Sequence, residues 1–172
     1  MDEYIILVNL DDEPEGYATK EEAHRTGALH RAFSVFLHNG SRLLIQQRAQ
    51  NKYHSPGLWA NTCCSHPRKG EELEEAVKRR LMEEAGIECS VKEVFSFVYK
   101  HKFNDELYEH EYDHVFLGEY SGEYTMNPEE VQAFKWIEAE TLLEDIKNHP
   151  EKYASWFKIA APRIVELILK KE

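Results

Sequence analysis

The chain has 172 residues, 42% hydrophobic and 12% aromatic, which suffices for one globular domain with a sizeable core. Its formal net charge of -11 argues against phosphate-backbone binding, which needs clustered Lys and Arg, although a few cations in one cleft still suffice for a small anion. No apolar run is long enough to span a bilayer, and three cysteines, two of them adjacent, make a poor disulfide framework. We therefore expect a cytoplasmic protein without nucleic-acid or membrane partners.

The first half of the chain predicts strands around one short helix. Thr19 is a plausible N-cap for that helix, with Glu22 at the spacing of a capping box. Asn39 and Gly40 form a turn signal between two apolar runs. The predicted elements are a strand at 4–10, a turn at 11–16, a short helix after residue 19, and strands at 30–38 and 43–47.

The second half predicts a central helix followed by long strands. Apolar residues fall at helical spacing from Glu71 to Ala85, and Gly86 supplies the expected stop. The later elements are strands at 91–103, 109–120 and 133–137, and two closing helices. This order predicts an α/β fold in which helices flank a mixed sheet.

Three histidines and two glutamates are candidate metal ligands. His24 lies on or beside the short helix, His30 begins a strand, and His66 precedes the central helix. Glu109 and Glu111 share one face of a strand because side chains alternate. Such a set suits Zn²⁺, Mn²⁺ or Mg²⁺. Because a lone His is usually superficial and an E-x-E pair usually solvated, the spacing alone does not show that the five converge.

The adjacent cysteines favour different roles. Cys63, like Cys89, is predicted to be a small hydrophobic side chain. Cys64 is expected on a loop beside a polar site, because Ser-His-Pro and a helix start follow it. A thiol with a tuned pKa serves as a general acid or base, and a covalent nucleophile is the open alternative.

The central helix also carries a candidate diphosphate site. Arg80 and Glu84 are spaced i,i+4, which by itself indicates only an exposed ion pair worth a few tenths of a kcal/mol. The functional interpretation is that Glu84 holds a Mg²⁺ bridging diphosphate oxygens while Arg80 contacts the phosphates. Further cationic contacts are expected from Lys20, Arg48 and Lys52.

Two aromatic residues complete the candidates. Tyr99 lies on a predicted strand and Trp156 in the C-terminal segment, where most tryptophans simply belong to the core. In a closed site, the face of an indole stabilises a transient cation by up to about 2 kcal/mol.

The segment from Asn61 to Ile87 resembles a Nudix box, G-x5-E-x7-R-E-U-x-E-E-x-G-U with U apolar. Ser65 stands in place of the first Gly, and Arg80 in place of the Glu that follows the Arg. Together with Cys-x-His ending at His66 and the Glu-His-Glu ending at Glu111, the chain resembles type I isopentenyl-diphosphate isomerases from about residue 20 to 156.

The resemblance implies a Nudix-type α/β/α sandwich and interconversion of isopentenyl and dimethylallyl diphosphate through a tertiary carbocation. It implies a single domain over 1–172, with an N-terminal strand/helix extension at 1–28, a Nudix core at 29–140 and C-terminal helices at 141–172. We expect a monomer, since no heptad repeat or long apolar surface stripe is present.

The resemblance also implies residue roles. The metal ligands are His24, His30, His66, Glu109 and Glu111 for Mn²⁺, Mg²⁺ or Zn²⁺, and Glu84 for the Mg²⁺ of the substrate. The diphosphate contacts are Lys20, Arg48, Lys52 and Arg80, and the catalytic residues are Cys64, Glu111, Tyr99 and Trp156. The hypothesis is that Glu111, helped by Tyr99, delivers the first proton and Cys64 removes the second, while the reverse order stays open.

Two rival functions are compatible with part of this residue set. A Nudix hydrolase of a nucleoside or isoprenoid diphosphate would release phosphate without needing Cys64 but would need Glu84. The exchange of Glu for Arg80 removes a carboxylate from the hydrolytic cluster and disfavours it. A metal-bearing module that only binds a diphosphate or a partner protein would show no turnover.

Overall fold

A computed structural model describes residues 3–52 and 54–170, which form one mixed sheet and the helices around it. The strands are β1 (Tyr4–Val8), β2 (Pro14–Thr19), β3 (His30–Asn39), β4 (Arg42–Arg48), β5 (Trp59–Ala60), β6 (Cys63–Ser65), β7 (Lys92–Asn104), β8 (Leu107–Glu119) and β9 (Val131–Glu138). The helices are α1 (Lys20–Thr26), α2 (Leu73–Ala85), α3 (Ala139–Asn148) and α4 (Ser155–Leu169), with a 3-10 turn at Pro150–Lys152.

Strand β3 is the centre of the sheet. One of its edges pairs in parallel with β8 over nine residues, from His30 opposite Glu111 to His38 opposite Glu119. Its antiparallel partners β1, β6 and β4 follow one another along the chain direction of β3. The sheet then continues from β1 to β2, from β4 to β5 and β9, and from β8 to β7.

Helices cover both faces of this sheet. Phe33, Val35 and Leu37 of β3 pack in the same cluster as the buried side chains of α2. Phe36 points to the other face and packs with α3 and α4. This alternation follows from the two-residue period of a strand, and a strand covered on both faces is apolar nearly throughout. The predicted mixed sheet flanked by helices is confirmed.

The start of α1 and the end of α2 carry the capping features that the sequence predicts. The Thr19 Oγ1 accepts a hydrogen bond from the Glu22 amide at 3.2 Å, and α1 begins at the next residue, Lys20. Helix α2 begins at Leu73, two residues later than predicted, and ends where expected because Gly86 adopts the left-handed conformation with φ 63°.

Two short strands correct the sequence-based expectations. Pro14 starts β2 where a turn through Gly16 was expected, since the hairpin turn is shorter and an edge strand tolerates proline at its start. Cys64 lies on β6, opposite Ser34, and not on a loop. The backbone of β3 between β1 and β4 needs hydrogen-bond partners, and β6 supplies them.

The three cysteines are free thiols. Cys63 is fully buried in the cluster under α2, while Cys89 is half-buried and packs at its margin. Within 3–52 and 54–170, no helix is long and apolar enough to cross a bilayer.

Thr62 joins β3 to β4 directly before β6. Its Oγ1 accepts from the Leu37 amide at 3.0 Å and donates to the Leu44 carbonyl at 2.6 Å, in a position without solvent exposure. The hydroxyl therefore satisfies two buried backbone groups at the point where the chain turns towards Cys64.

We expect Thr62→Val to lower the free energy of unfolding by about 2–3 kcal/mol, because a buried N–H and a buried C=O lose their partner. Thr62→Ser keeps the hydroxyl and should cost only about 1 kcal/mol. Urea denaturation of both variants measures the difference, and an equal loss in the two would contradict this role of the hydroxyl.

Candidate active site

Three imidazoles meet at the beginning of the central strand β3. His24 comes from α1, His30 begins β3, and His66 follows β6. Their potential ligand nitrogens all lie within 4.8 Å of one another, and two of the three residues are fully buried. The ring centroids are 4.8 Å apart for His30 and His66, 5.2 Å for His24 and His30, and 5.9 Å for His24 and His66. The structure thus brings together the three histidines that the sequence suggested.

The donor set fits a divalent cation. The Nδ1 of His30 lies 3.0 Å from the Ala28 carbonyl and donates to it, which leaves Nε2 with its lone pair. This Nε2 is buried and makes no hydrogen bond within the described part of the chain. The Glu111 Oε2 lies 3.6 Å from it and 3.0 Å from the His66 Nε2. Imidazoles beside a carboxylate suit Zn²⁺ or Mn²⁺.

Burial sets the protonation states of these groups. It lowers the pKa of His24 to about 2 and the pKa of His66 to about 4, so both rings are neutral at neutral pH, as metal ligands must be. Burial opposes ionisation of Glu111 as well, but the hydrogen bond from His66 and the adjacent ring of His30 hold its pKa well below the usual range. The cluster therefore combines two neutral imidazoles, His24 and His66, with one carboxylate anion.

The acidic strand face is buried and not solvated. Glu109 is 2% exposed, Glu111 8% and Asp113 1%, all on the same side of β8. Burial, and then the charge of Glu111, raise the pKa of Glu109 well above its ordinary value. Asp113, which the sequence analysis did not single out, accepts a hydrogen bond from the Ser34 hydroxyl at 2.9 Å.

Tyr99 and Trp156 flank the same region. Tyr99 lies directly opposite Glu111 in the β7–β8 ladder, and burial raises the pKa of its phenol, which keeps its proton. Trp156 is buried on α4, and its Nε1 donates to the Asn61 Oδ1 at 3.0 Å. The guanidinium of Arg48 lies 5.2 Å from the centroid of the indole ring, so this ring already faces a cation.

One cavity of about 250 Å³ joins these groups to the cationic residues. Its walls include Cys64, Glu111 and Trp156 together with the cationic Lys20 and Arg80. Burial raises the pKa of Cys64 to about 12, although the Arg48 Nη1, 3.9 Å from its Sγ, acts in the opposite direction. The side chain is therefore a neutral thiol at neutral pH.

The predicted diphosphate contacts share this cavity. Lys20, Arg48, Lys52 and Arg80 all line it. Burial and then the neighbouring charges, Lys52 first, lower the pKa of Lys20. Glu130 lies between two of the cations, with its Oε2 2.5 Å from the Lys52 Nζ and 3.1 Å from the Arg80 Nη2. Converging cations around a polar space are typical of an anion site.

Glu84 is a buried partner of these cations and not part of an exposed ladder. Its Oε2 lies 3.0 Å from the Arg80 Nη2 and accepts from the Cys63 Sγ at 3.2 Å. Its Oε1 accepts from the Gln46 Nε2 at 3.0 Å. A carboxylate of this kind beside an anion site is a suitable Mg²⁺ ligand.

Sequence reasoning missed two residues of this cavity. His54 lies on the loop between β4 and β5, and Glu130 lies directly before β9. Neither belongs to a spaced motif, so no local signal distinguishes them from ordinary loop residues. Only their burial beside the candidate residues reveals them.

Comparison with known proteins first defines the class. A family model described as the NUDIX domain matches residues 28–157. A crystal structure of a Deinococcus radiodurans protein aligns with a TM-score of 0.78 at 25% identity, covering 94% of this chain and 98% of that one. The MutT protein from Methanosarcina mazei Go1 aligns at 0.64 and 18% identity, covering 78% of this chain and 91% of that one. The fold is therefore the Nudix fold.

Sequence relatives then identify the family within the Nudix fold. The chain is 48% identical to isopentenyl-diphosphate Delta-isomerase 2 of Aromatoleum aromaticum over 96% of its own length and 88% of that protein. It is 49% identical to isopentenyl-diphosphate Delta-isomerase 2 of Photorhabdus laumondii over 92% of its own length and 90% of that protein. The chain belongs to the family of type I isopentenyl-diphosphate Delta-isomerases.

We expect Glu130→Gln to bind inorganic pyrophosphate roughly tenfold more tightly in the absence of metal. The neutral amide no longer competes with the ligand for Lys52 and Arg80, and one charge-assisted hydrogen bond is worth about 1.5 kcal/mol or more. Isothermal titration calorimetry measures the affinity, and Glu129→Gln at the exposed neighbouring position is the matched control. Weaker binding by Glu130→Gln would mean that Glu130 holds the two cations ready for the ligand.

Proposed function

We propose that this chain interconverts isopentenyl diphosphate and dimethylallyl diphosphate by adding one proton and removing another. The observation that carries the proposal is a pair of acid/base groups in one cavity beside a cationic cluster. Cys64 on β6 and Glu111 on β8 lie on strands at opposite edges of β3, and both line this cavity. The membership of the isomerase family supports the same reaction.

The protonation states suggest the direction of proton transfer. The thiol of Cys64 carries a proton, whereas Glu111 is ionised. In the forward reaction we propose that the thiol gives its proton to the terminal alkene carbon and leaves a tertiary carbocation. The Glu111 carboxylate then takes a proton from the neighbouring methylene carbon, whose C–H electrons form the new double bond. This order is the reverse of the sequence-based hypothesis.

Tyr99 and Trp156 support this chemistry without exchanging a net proton. The Tyr99 phenol, opposite Glu111, is a suitable hydrogen-bond donor to that carboxylate. The indole of Trp156 offers a π face to positive charge, and its hydrogen bond to Asn61 holds the ring in place. The buried walls of the cavity keep water away from the cation, which water would otherwise trap.

The two ends of the substrate bind to different groups. The diphosphate would contact Lys20, Arg48, Lys52 and Arg80, and Glu84 would hold its Mg²⁺. His24, His30, His66, Glu109 and Glu111 would hold a Mn²⁺, Mg²⁺ or Zn²⁺ ion. A metal there supplies a positive charge that keeps Glu111 ionised and fixes its orientation.

Diphosphate hydrolysis is the less supported alternative. Arg80 contributes a cation at the centre of the anion site, and its Nη2 lies within hydrogen-bond distance of Glu84 and Glu130. Hydrolysis also leaves no role for a buried thiol and an acidic strand face beside the same cavity. These features favour binding an intact diphosphate over cleaving it.

Proton NMR of the purified protein with isopentenyl diphosphate and Mg²⁺ in deuterated water tests the proposal. We expect dimethylallyl diphosphate with deuterium incorporation, because the thiol exchanges its proton with solvent.

Cys64→Ala and Glu111→Gln should each lose at least about a thousandfold in rate, since each removes one of the two proton-transfer groups. Cys89→Ser, which alters a thiol outside the cavity, is the control. Release of inorganic phosphate, or normal turnover by Cys64→Ala, would reject the proposal.

The order of proton transfer predicts a pH profile. Because burial raises the pKa of Cys64 to about 12 and the neighbouring imidazoles hold the pKa of Glu111 well below its ordinary range, both groups stay in their active forms from pH 7 to 10. The turnover rate at saturating substrate should therefore not rise with pH over this range, whereas an ordinary thiol would ionise near pH 8.5. A rise of roughly tenfold per pH unit would mean that the thiolate is the active form, so that Glu111 delivers the first proton and Cys64 removes the second.

A further inference from the structure

His54 lies where the histidine cluster meets the substrate cavity. Although a loop carries it, its side chain is only 8% exposed. Its ring centroid is 5.8 Å from that of His24, which is as close as His66 comes to His24. Its Nε2 lies 3.2 Å from the Oε2 of Glu109, one of the proposed metal ligands.

Three further contacts fix the position of His54. Its ring stacks on Phe103 with centroids 5.2 Å apart and meets Trp156 edge-on at 6.1 Å. Its backbone carbonyl accepts from the Arg48 Nη2 at 3.4 Å. His54 therefore contacts Glu109, a proposed metal ligand. It also contacts the Trp156 indole and Arg48, a proposed diphosphate contact.

We infer that His54 is a positioning residue of the metal centre, which holds Glu109 by donating its Nε2–H to the Glu109 carboxylate. This inference rests on the proposed function of the same site. A positioning role fits the geometry, because the Nε2 of His54 faces the Oε2 of Glu109 at 3.2 Å and His54 stands outside the close group of His24, His30 and His66. Ligating carboxylates are usually hydrogen-bonded in turn, and the loss of such a partner typically weakens metal affinity 10–100-fold.

His54→Gln and His54→Asn form a matched pair that tests the donor. The amide nitrogen of Gln reaches about as far as the Nε2 of His, whereas that of Asn reaches only as far as Nδ1. With Mn²⁺ as the probe, electron paramagnetic resonance of the free ion measures the Mn²⁺ affinity of the purified 172-residue chain. We expect His54→Asn to weaken Mn²⁺ binding about 10–100-fold and His54→Gln to remain within about threefold of the parent protein. His149→Asn, at a half-exposed histidine, is the control and should match the parent.

The visible spectrum of the Co²⁺-loaded protein separates positioning from ligation. We expect His54→Gln to keep the band positions of the parent protein, because the ligands themselves are unchanged. A shifted spectrum would make His54 a ligand, and equal Mn²⁺ affinity of His54→Asn and the parent would remove any role in orienting Glu109. Either result overturns the inference. Both readouts are independent of turnover, so they decide the role of His54 even if the chain does not isomerise isopentenyl diphosphate.

Discussion

The parallel pairing of β3 with β8 is the constraint on which the rest of the site depends. Its register sets His30 opposite Glu111, and the period of the two strands then turns Ser34 and Asp113 to the same face. A slip of one residue would exchange the two faces of β8 and send its carboxylates towards α2. The register is fixed by the apolar residues farther along β3, since Val35 and Leu37 must pack on α2 while Phe36 packs on α4.

Burial turns this geometry into chemistry. On an exposed surface, a carboxylate, a thiol and several imidazoles would keep their ordinary pKa values, and the imidazoles would populate both protonation states near neutral pH. In the cavity His24, His54 and His66 are neutral and the Cys64 thiol is protonated. Of the three buried carboxyl groups Glu109, Glu111 and Asp113 on β8, Glu111 has a lowered pKa and the other two have raised ones. The same burial requires compensating partners, and Asn61, Thr62 and Gln46 supply them through hydrogen bonds to neighbouring strands and helices.

Much of the fold follows from sequence periodicity, whereas the convergence of the site does not. The helix around Leu81 and the long strands carry repeating apolar patterns. Gly86 marks the end of that helix because glycine readily adopts the left-handed conformation found there. Short strands such as β6 form because the backbone of the adjacent strand needs hydrogen-bond partners. No local sequence pattern indicates that need. The site histidines were proposed by type and by family resemblance, since the spacing of His24 and His30 does not encode their proximity to His66. His54 lies on a loop whose course depends on the packed core, so only the three-dimensional structure reveals its position.

Arg80 has three carboxylate partners within the protein itself. Glu83, Glu84 and Glu130 place oxygens 2.9, 3.0 and 3.1 Å from its guanidinium nitrogens. An incoming anion therefore exchanges with existing counter-ions and does not simply neutralise a vacant charge. A monovalent anion offers Arg80 little more than these carboxylates already do. A polyvalent anion bound together with a cation would contact Arg80 and Lys52 directly and Glu84 through the cation. The ion pairs of Arg80 therefore favour an anion of higher valence, so the proposed site would take diphosphate esters in preference to carboxylates and monophosphates of similar size.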